Sequence, residues 1–150
     1  MQDLNSYSVV LLFSYLFNFS DPPERLTIEG PEELTQDKEA RFTCKASASN
    51  MPSQLTFKLT SHHADMLDEL TKDGLVEIEP LEEKWSDNGN SGWKSARSVI
   101  LKPKLLERSS QLGDQVTFEC QVPDPYDERR ILISAAKFVA LISKYKRGHS

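Results

Sequence analysis

Two cysteines, each in the middle of an alternating apolar run, constrain the fold of this chain more than any other feature. Cys44 lies in residues 40–46 and Cys120 in residues 116–122, and in both runs apolar and polar side chains alternate. Because successive side chains of a β-strand point to opposite faces, both sulfurs are predicted to face inward. The pattern predicts two packed sheets joined by a Cys44–Cys120 disulfide, and its alternative is a pair of buried free thiols.

The disulfide also indicates where the chain folds. Closing a loop of about 75 residues stabilises a fold by about 4 kcal/mol in the chain-entropy model. Two cysteines outside a C-x-x-C pair are too few for a thiolate zinc site. Since disulfides persist in oxidising compartments, we expect a secreted protein or one on the extracellular side of the plasma membrane.

The charges of the chain are unevenly distributed. From Arg129 onward there are six Lys or Arg residues and no Asp or Glu. The net charge of the whole chain is −5, so residues 1–128 carry a net charge of −11. An acidic body repels phosphates, which argues against a nucleic-acid partner. The basic end could contact an acidic surface or an anionic membrane, although a short solvated basic end is the commoner case.

The first 20 residues are predicted to be a leader. Residues 9–19 form an apolar run of signal-peptide length that is too short to span a bilayer. No Lys or Arg precedes the run and no clean cleavage site follows it, so a β-strand or the end of a fragment remains an alternative. Asn18 begins an Asn-Phe-Ser acceptor pattern for N-glycosylation.

Between the leader and the basic end, short apolar runs recur about every ten residues with turn signals between them. The strands predicted from these runs cover residues 26–29, 40–46, 55–60, 75–78, 95–102 and 116–122. Residues 61–73 are predicted to form a short helix or an edge hairpin, and residues 82–92 an exposed loop. Six or seven such strands favour an all-β, antiparallel sandwich. The predicted core comprises Phe42, Cys44, Leu55, Phe57, Leu59, Ile100, Val116, Phe118, Cys120 and Val122.

The segments around the two cysteines resemble the immunoglobulin superfamily. Residues 40–44 (ARFTC) resemble its strand B, and Phe57 stands where the family has a strand C tryptophan packed on the disulfide. Residues 114–120 (DQVTFEC) are similar to the D-x-G/A-x-Y-x-C signature of strand F. Residues 22–31 look like the start of a C2-type domain in a tandem array, as in nephrin-like adhesion receptors.

This resemblance implies an immunoglobulin-like β-sandwich over residues 21–128 and a non-catalytic role in extracellular recognition or cell adhesion. The implied partner is another cell-surface or extracellular protein, or a second copy of the chain. Three residues depart from the family pattern. Phe57 replaces the tryptophan, Val116 replaces a small residue, and Phe118 replaces a tyrosine whose hydroxyl contributes a hydrogen bond worth about 1 kcal/mol.

Residues 129–150 are predicted to be a basic amphipathic tail, for which two structures are possible. Residues 129–134 could supply the closing strand of the sandwich, with Ile131 and Ile133 facing inward. The prediction that we favour is a short C-terminal helix over residues 131–145, with a narrow polar stripe. That helix would deprive the sandwich of its last strand and leave a sheet edge exposed.

The chain offers few groups for chemistry. His62 and His63, near Asp65, form the one cluster that suggests a metal, but adjacent strand residues face opposite sides, which favours a solvated loop pair. Residues 87–92 (DNGNSG) resemble a calcium loop, yet Ser98 occupies the twelfth position, where a carboxylate is required. His149 lies at the chain end. We therefore predict no catalytic site, metal or cofactor.

Two tryptophans bracket the polar segment 82–92. Trp93 precedes a predicted strand and is expected in the core, whereas Trp85 is the better candidate for a binding contact, because exposed tryptophans often anchor interfaces. Three alternatives to a recognition module remain open: docking through the basic tail, an enzyme with a pocket near His62, and a truncated product of a tandem receptor.

Overall fold

The computed structural model describes residues 23–87 and 91–143. In chain order its strands are β1 (Leu26–Glu29), β2 (Glu33–Leu34), β3 (Ala40–Ser49), β4 (Thr56–Ser61), β5 (Ala64–Asp65), β6 (Val76–Ile78), β7 (Glu82–Ser86), β8 (Gly92–Leu101), β9 (Gln115–Asp124) and β10 (Asp127–Leu141). Helix α1 (Leu67–Lys72) precedes β6. A 3₁₀ turn (Pro103–Arg108) and helix α2 (Ser109–Leu112) connect β8 to β9.

The strands form two sheets that pack face to face. In the first sheet the order is β1-β3-β8-β6, and β7 pairs with the N-terminal half of β8. In the second sheet the order is β2-β10-β9-β4-β5. All neighbours are antiparallel except β2 and β10, which run parallel. Each cysteine strand is thus an inner strand of its own sheet, as the long alternating runs predict.

The core lies between the sheets, and the predicted alternation holds on both sides. All ten predicted core residues are buried, and all but Ile100 belong to the core cluster. Ile100 is paired with Arg41 and Glu77, on the outer face of the first sheet, while Val99 and Leu101 point inward. The burial predicted for Ile100 is confirmed, but the residue is buried on the outer face, because three consecutive apolar residues do not reveal which of them faces the other sheet.

The disulfide joins β3 of the first sheet to β9 of the second, with the two Cα atoms 6.5 Å apart. Both cysteines are fully buried. Beside them the centre of the Phe118 ring lies 5.5 Å from the centre of the Phe42 ring and 5.3 Å from the centre of the Phe57 ring. Three phenylalanines from both sheets thus surround the bond. Two β-sheets held by a buried inter-sheet disulfide define an all-β, immunoglobulin-like sandwich.

The helical tail is the main prediction that the structure overturns. Residues 127–141 form a strand that pairs with β9 from Ile133 to Ala140 and covers the edge that a helix would leave open. Val139 and Leu141 are buried, Ile133 is partly buried, and Ile131 is exposed rather than inward. Pairing with β9 decides the outcome, since local apolar content is compatible with either structure.

Three smaller predictions also change. Residues 82–86 are a strand rather than part of a loop, because β8 is long enough to pair with both β6 and β7. Residues 61–73 contain both alternatives, a short hairpin (β4–β5) followed by helix α1. Trp93 is half-buried and lies outside the core cluster.

Several predictions lie outside the described residues: the leader over residues 1–20, the acceptor Asn18, the chain end with His149, and part of the loop at residues 87–92. Within residues 23–87 and 91–143, no helix is long and apolar enough to cross a membrane.

Candidate recognition surfaces

The outer face of the first sheet is charged and carries several ion pairs. Lys45 on β3 contacts Glu29 on β1, with 3.0 Å between Nζ and Oε1. Arg41, also on β3, forms an ion pair with Glu79 through both of its terminal nitrogens. Exposed ion pairs of this kind add little stability, but they keep a surface well hydrated. This face has the character of an ordinary solvated surface.

The outer face of the second sheet is different, because small and uncharged side chains dominate it. We call it the Phe138 face and define it by the outward residues of β10, β9 and β4: Ser134, Ala136, Phe138, Ala140, Thr117, Glu119, Gln121, Thr56, Lys58 and Thr60. On these three strands the one acidic and one basic side chain, Glu119 and Lys58, lie directly opposite each other. The exposed Glu33 of the edge strand β2 lies beside Ala140, at the border of the face. The face is therefore nearly neutral, in a chain whose first 128 residues carry −11.

Phe138 is the most exposed large apolar side chain of the described residues, with 64% of its surface accessible. The same outward row of β10 places Ala136 and Ala140 on either side of it, and the register places Thr117 across from it. Because these neighbours are small, the ring stands above the sheet surface. Sequence reasoning missed Phe138, because a helix over residues 131–145 would have placed it within a broad apolar surface.

A second surface lies at the end of the sandwich where the loop over residues 50–55 links the sheets. The β7–β8 and β9–β10 hairpins also turn at this end, and they carry the exposed side chains Trp85, Tyr126 and Ile131. Trp85 is 49% exposed, as expected for a contact residue. However, its ring packs edge-on against Trp93 at 5.7 Å, and its indole Nε1 donates a 2.6 Å hydrogen bond to Oδ1 of Asp87.

The histidine pair forms the tight turn between β4 and β5. His62 and His63 have φ values of 51° and 70°, in the left-handed region, and both side chains are exposed. Asp65 already accepts hydrogen bonds from the backbone N–H groups of Leu59 and Leu67, each at 3.1 Å. Across the described ranges no group of His, Cys, Asp or Glu side chains could hold a metal ion.

Arg97 is a structural residue that sequence reasoning missed. Arg97 is on β8, opposite Cys44 of β3. Its side chain therefore points between the sheets, where an apolar residue is expected. Its guanidinium donates to the carbonyl oxygens of Glu79 at 2.8 Å and Leu55 at 3.0 Å, and it lies 5.9 Å from the centre of the Phe57 ring. Arg97 therefore links the edge of the first sheet to the start of β4 in the second.

Comparison with known proteins adds no assignment beyond the fold. No family model matches the chain, and no curated protein matches it significantly in sequence. The structure places the chain in the class of immunoglobulin-like β-sandwiches, and its buried disulfide indicates an oxidising environment. Any assignment to a particular function rests on the surfaces described above.

Proposed function

We propose that this chain is a non-catalytic recognition module of the immunoglobulin superfamily, acting outside the cell and binding another extracellular protein through the Phe138 face. The exposed ring of Phe138 among the small, mostly uncharged side chains of the Phe138 face carries this proposal. Aromatic side chains with neutral surroundings provide the buried centre of most protein interfaces. The oxidised disulfide is in keeping with an extracellular location.

The Phe138 face is a better candidate than the sandwich end because its aromatic ring is less engaged within the domain. Trp85 already uses its indole donor and an edge-on ring contact within its own hairpin. Phe138 is more exposed than Trp85 and lies in the part of β10 that pairs continuously with β9. A rigid strand holds an anchor more precisely than a hairpin end, which lowers the entropy lost on binding.

The size of the face predicts the strength of binding. In width the Phe138 face covers three strands, and in length it extends from Ser134 to Ala140. At standard strand spacings this is roughly 15 Å by 20 Å. That area is smaller than the roughly 800 Å² per partner of a standard stable interface. We therefore expect a transient contact with a dissociation constant in the micromolar range or weaker, unless the hairpins contribute.

The test is a binding screen of the secreted, disulfide-intact chain against a panel of recombinant extracellular domains that includes the chain itself. Avidity from multivalent display compensates for weak single contacts. Phe138→Asp should abolish any binding that is found. Thr27→Asp introduces the same charge on the outer face of the first sheet and should leave binding intact. Equal binding by Phe138→Asp and the wild type would refute the assignment of this face.

A further inference from the structure

The hairpin between β9 and β10 contains a pair of adjacent arginines in the most exposed stretch of the described chain. Residues 125–131 are all exposed, and no other described run of exposed residues is as long. Within it, the side chains of Arg129 and Arg130 are 94% and 71% exposed. They are also the only basic residues between Arg108 and Lys137.

The backbone of this stretch is poorly paired. Asp127 lies opposite Asp124, and the next paired residue is Ile131, opposite Pro123. Residues 128–130 therefore have no ladder partner in β9, and the register shifts again between Ile131 and Ile133. A protease must accommodate several residues of its substrate in an extended form, and an unpaired, exposed segment reaches that form with little local unfolding.

The arginine side chains are also free to enter a protease pocket. Nε of Arg129 lies 3.5 Å from Oδ1 of Asp127, and Nη1 of Arg130 lies 4.0 Å from Oδ2 of Asp124. Both pairs are solvent-exposed on the arginine side, and such pairs hold a side chain only weakly. An acidic specificity pocket, which pairs with the guanidinium out of water, can compete with them.

We propose that the Arg130–Ile131 peptide bond is a processing site for a trypsin-like protease and that cleavage there releases the strand that carries Phe138. The reaction is hydrolysis. Water adds across the bond, the C–N bond breaks, Arg130 gains a carboxylate, and Ile131 becomes an amino terminus.

The position of the disulfide leaves the released segment without a covalent tie. Cys44 and Cys120 both precede Arg130, so no covalent bond joins residues 131–150 to the rest of the cleaved protein. The remaining ties include the β9–β10 ladder, the two-residue contact with β2, an ion pair with 2.7 Å between Lys137 Nζ and Glu32 Oε2, and buried side chains such as Val139 and Leu141.

Cleavage also lowers the effective concentration of β10 beside β9. In the intact chain a short turn holds β10 beside β9 at an effective concentration of the order of millimolar. After cleavage the same pairing becomes bimolecular, and at nanomolar protein the strand dissociates. Loss of β10 removes Phe138 and one of the three strands of the Phe138 face, so cleavage acts as an off-switch for that surface.

The first test is limited digestion of the disulfide-intact full chain with trypsin, followed by non-reducing intact mass measurement at short times. Cuts before residue 23 or after residue 143 are set aside. We expect the first internal cut after Arg130. Arg129→Gln/Arg130→Gln should lose the intact 23–143 region at least about tenfold more slowly, because both basic residues of the segment are gone.

Lys58→Gln is the matched control for this digestion. Lys58 is also exposed, but it lies within the paired ladder of β4 and β9. Its removal should leave the digestion rate unchanged. A first internal cut elsewhere, or equal rates for the double variant and the wild type, would overturn the proposed site.

The second test measures release of the strand. Cleaved protein at micromolar concentration is mixed with a trace of a fluorescent peptide of residues 131–150, and uptake is monitored by anisotropy after separation of the protease. The cleaved protein should take up the peptide, whereas intact protein should not within the same time. Failure of the cleaved protein to exchange would overturn the switch. Neither readout involves a ligand, so both tests are independent of the proposed recognition function.

Discussion

Removing the disulfide should cost this sandwich a large part of its stability, and the structure allows the cost to be calculated. Cys44 and Cys120 are 76 residues apart in sequence. In the chain-entropy model, closing a loop of that length removes about 15 cal/mol/K from the unfolded state, or about 4.5 kcal/mol at 25 °C. Domains of this size have unfolding free energies of about 5–15 kcal/mol, so Cys44→Ala/Cys120→Ala should lie near the limit of folding.

Equilibrium urea unfolding of the oxidised chain and of the double alanine variant measures this cost. With an m-value of about 2 kcal/mol/M, the midpoint should fall by about 2 M. Because both alanines are smaller than cysteine, a small packing loss adds to the entropic term. Reduced wild-type protein is the control that retains the sulfur atoms, and it should unfold close to the double variant.

Reduction kinetics test the same reasoning from the native side. Both cysteines are fully buried, so a thiol reductant should reach the bond only after unfolding. Reduction in native buffer should therefore be far slower than reduction of the urea-unfolded chain, and its rate should level off at the global unfolding rate once reduction outpaces refolding. A midpoint shift below about 0.5 M would refute stabilisation by constraint of the unfolded chain, and reduction in native buffer as fast as in the urea-unfolded chain would refute a buried bond.

Three further substitutions test individual parts of the structure by the same urea assay. Arg97→Met should lower the free energy of unfolding by about 2 kcal/mol, because it removes two hydrogen bonds from a cation to the carbonyl oxygens of Leu55 and Glu79; an unchanged midpoint would mean that Arg97 does not join the sheets. His63→Gly should raise the free energy of unfolding by about 1 kcal/mol, since φ is 70° at this position, whereas His63→Ala should not raise it. Phe138→Ala should change it by less than about 0.5 kcal/mol, and a loss above about 2 kcal/mol would show that the ring stabilises the fold instead of serving a partner.

The parts of the fold that sequence reasoning found are those in which a local period is sufficient. Alternating runs around Cys44 and Cys120 place both sulfurs inward, and the same alternation locates β4 through Phe57. It fails where a segment has no clear period. Residues 98–101 are continuously buried, so the direction of Ile100 depends on its neighbours Arg41 and Glu77 across the ladder.

The candidate surfaces were less predictable than the core. Trp85 could be selected as an exposed aromatic residue from its polar surroundings, and it is exposed. Phe138 could not be selected, because its exposure depends on the conformation of β10 and on which of its two faces meets the first sheet. Arg97 was hidden for a related reason, since a charged residue at an inward position is acceptable only where carbonyl oxygens of other strands accept its hydrogen bonds.

The amino-acid sequence by itself determined that this chain forms half-buried strands and that two of them present cysteines to a common core, because side-chain alternation is a property of neighbouring residues. Only the tertiary structure decided that residues 127–141 complete a sheet, that one outer face is charged and the other nearly neutral, and that Phe138 is exposed. These outcomes depend on which strands pair and which faces meet, and the free energy of those contacts comes from residues distant in sequence.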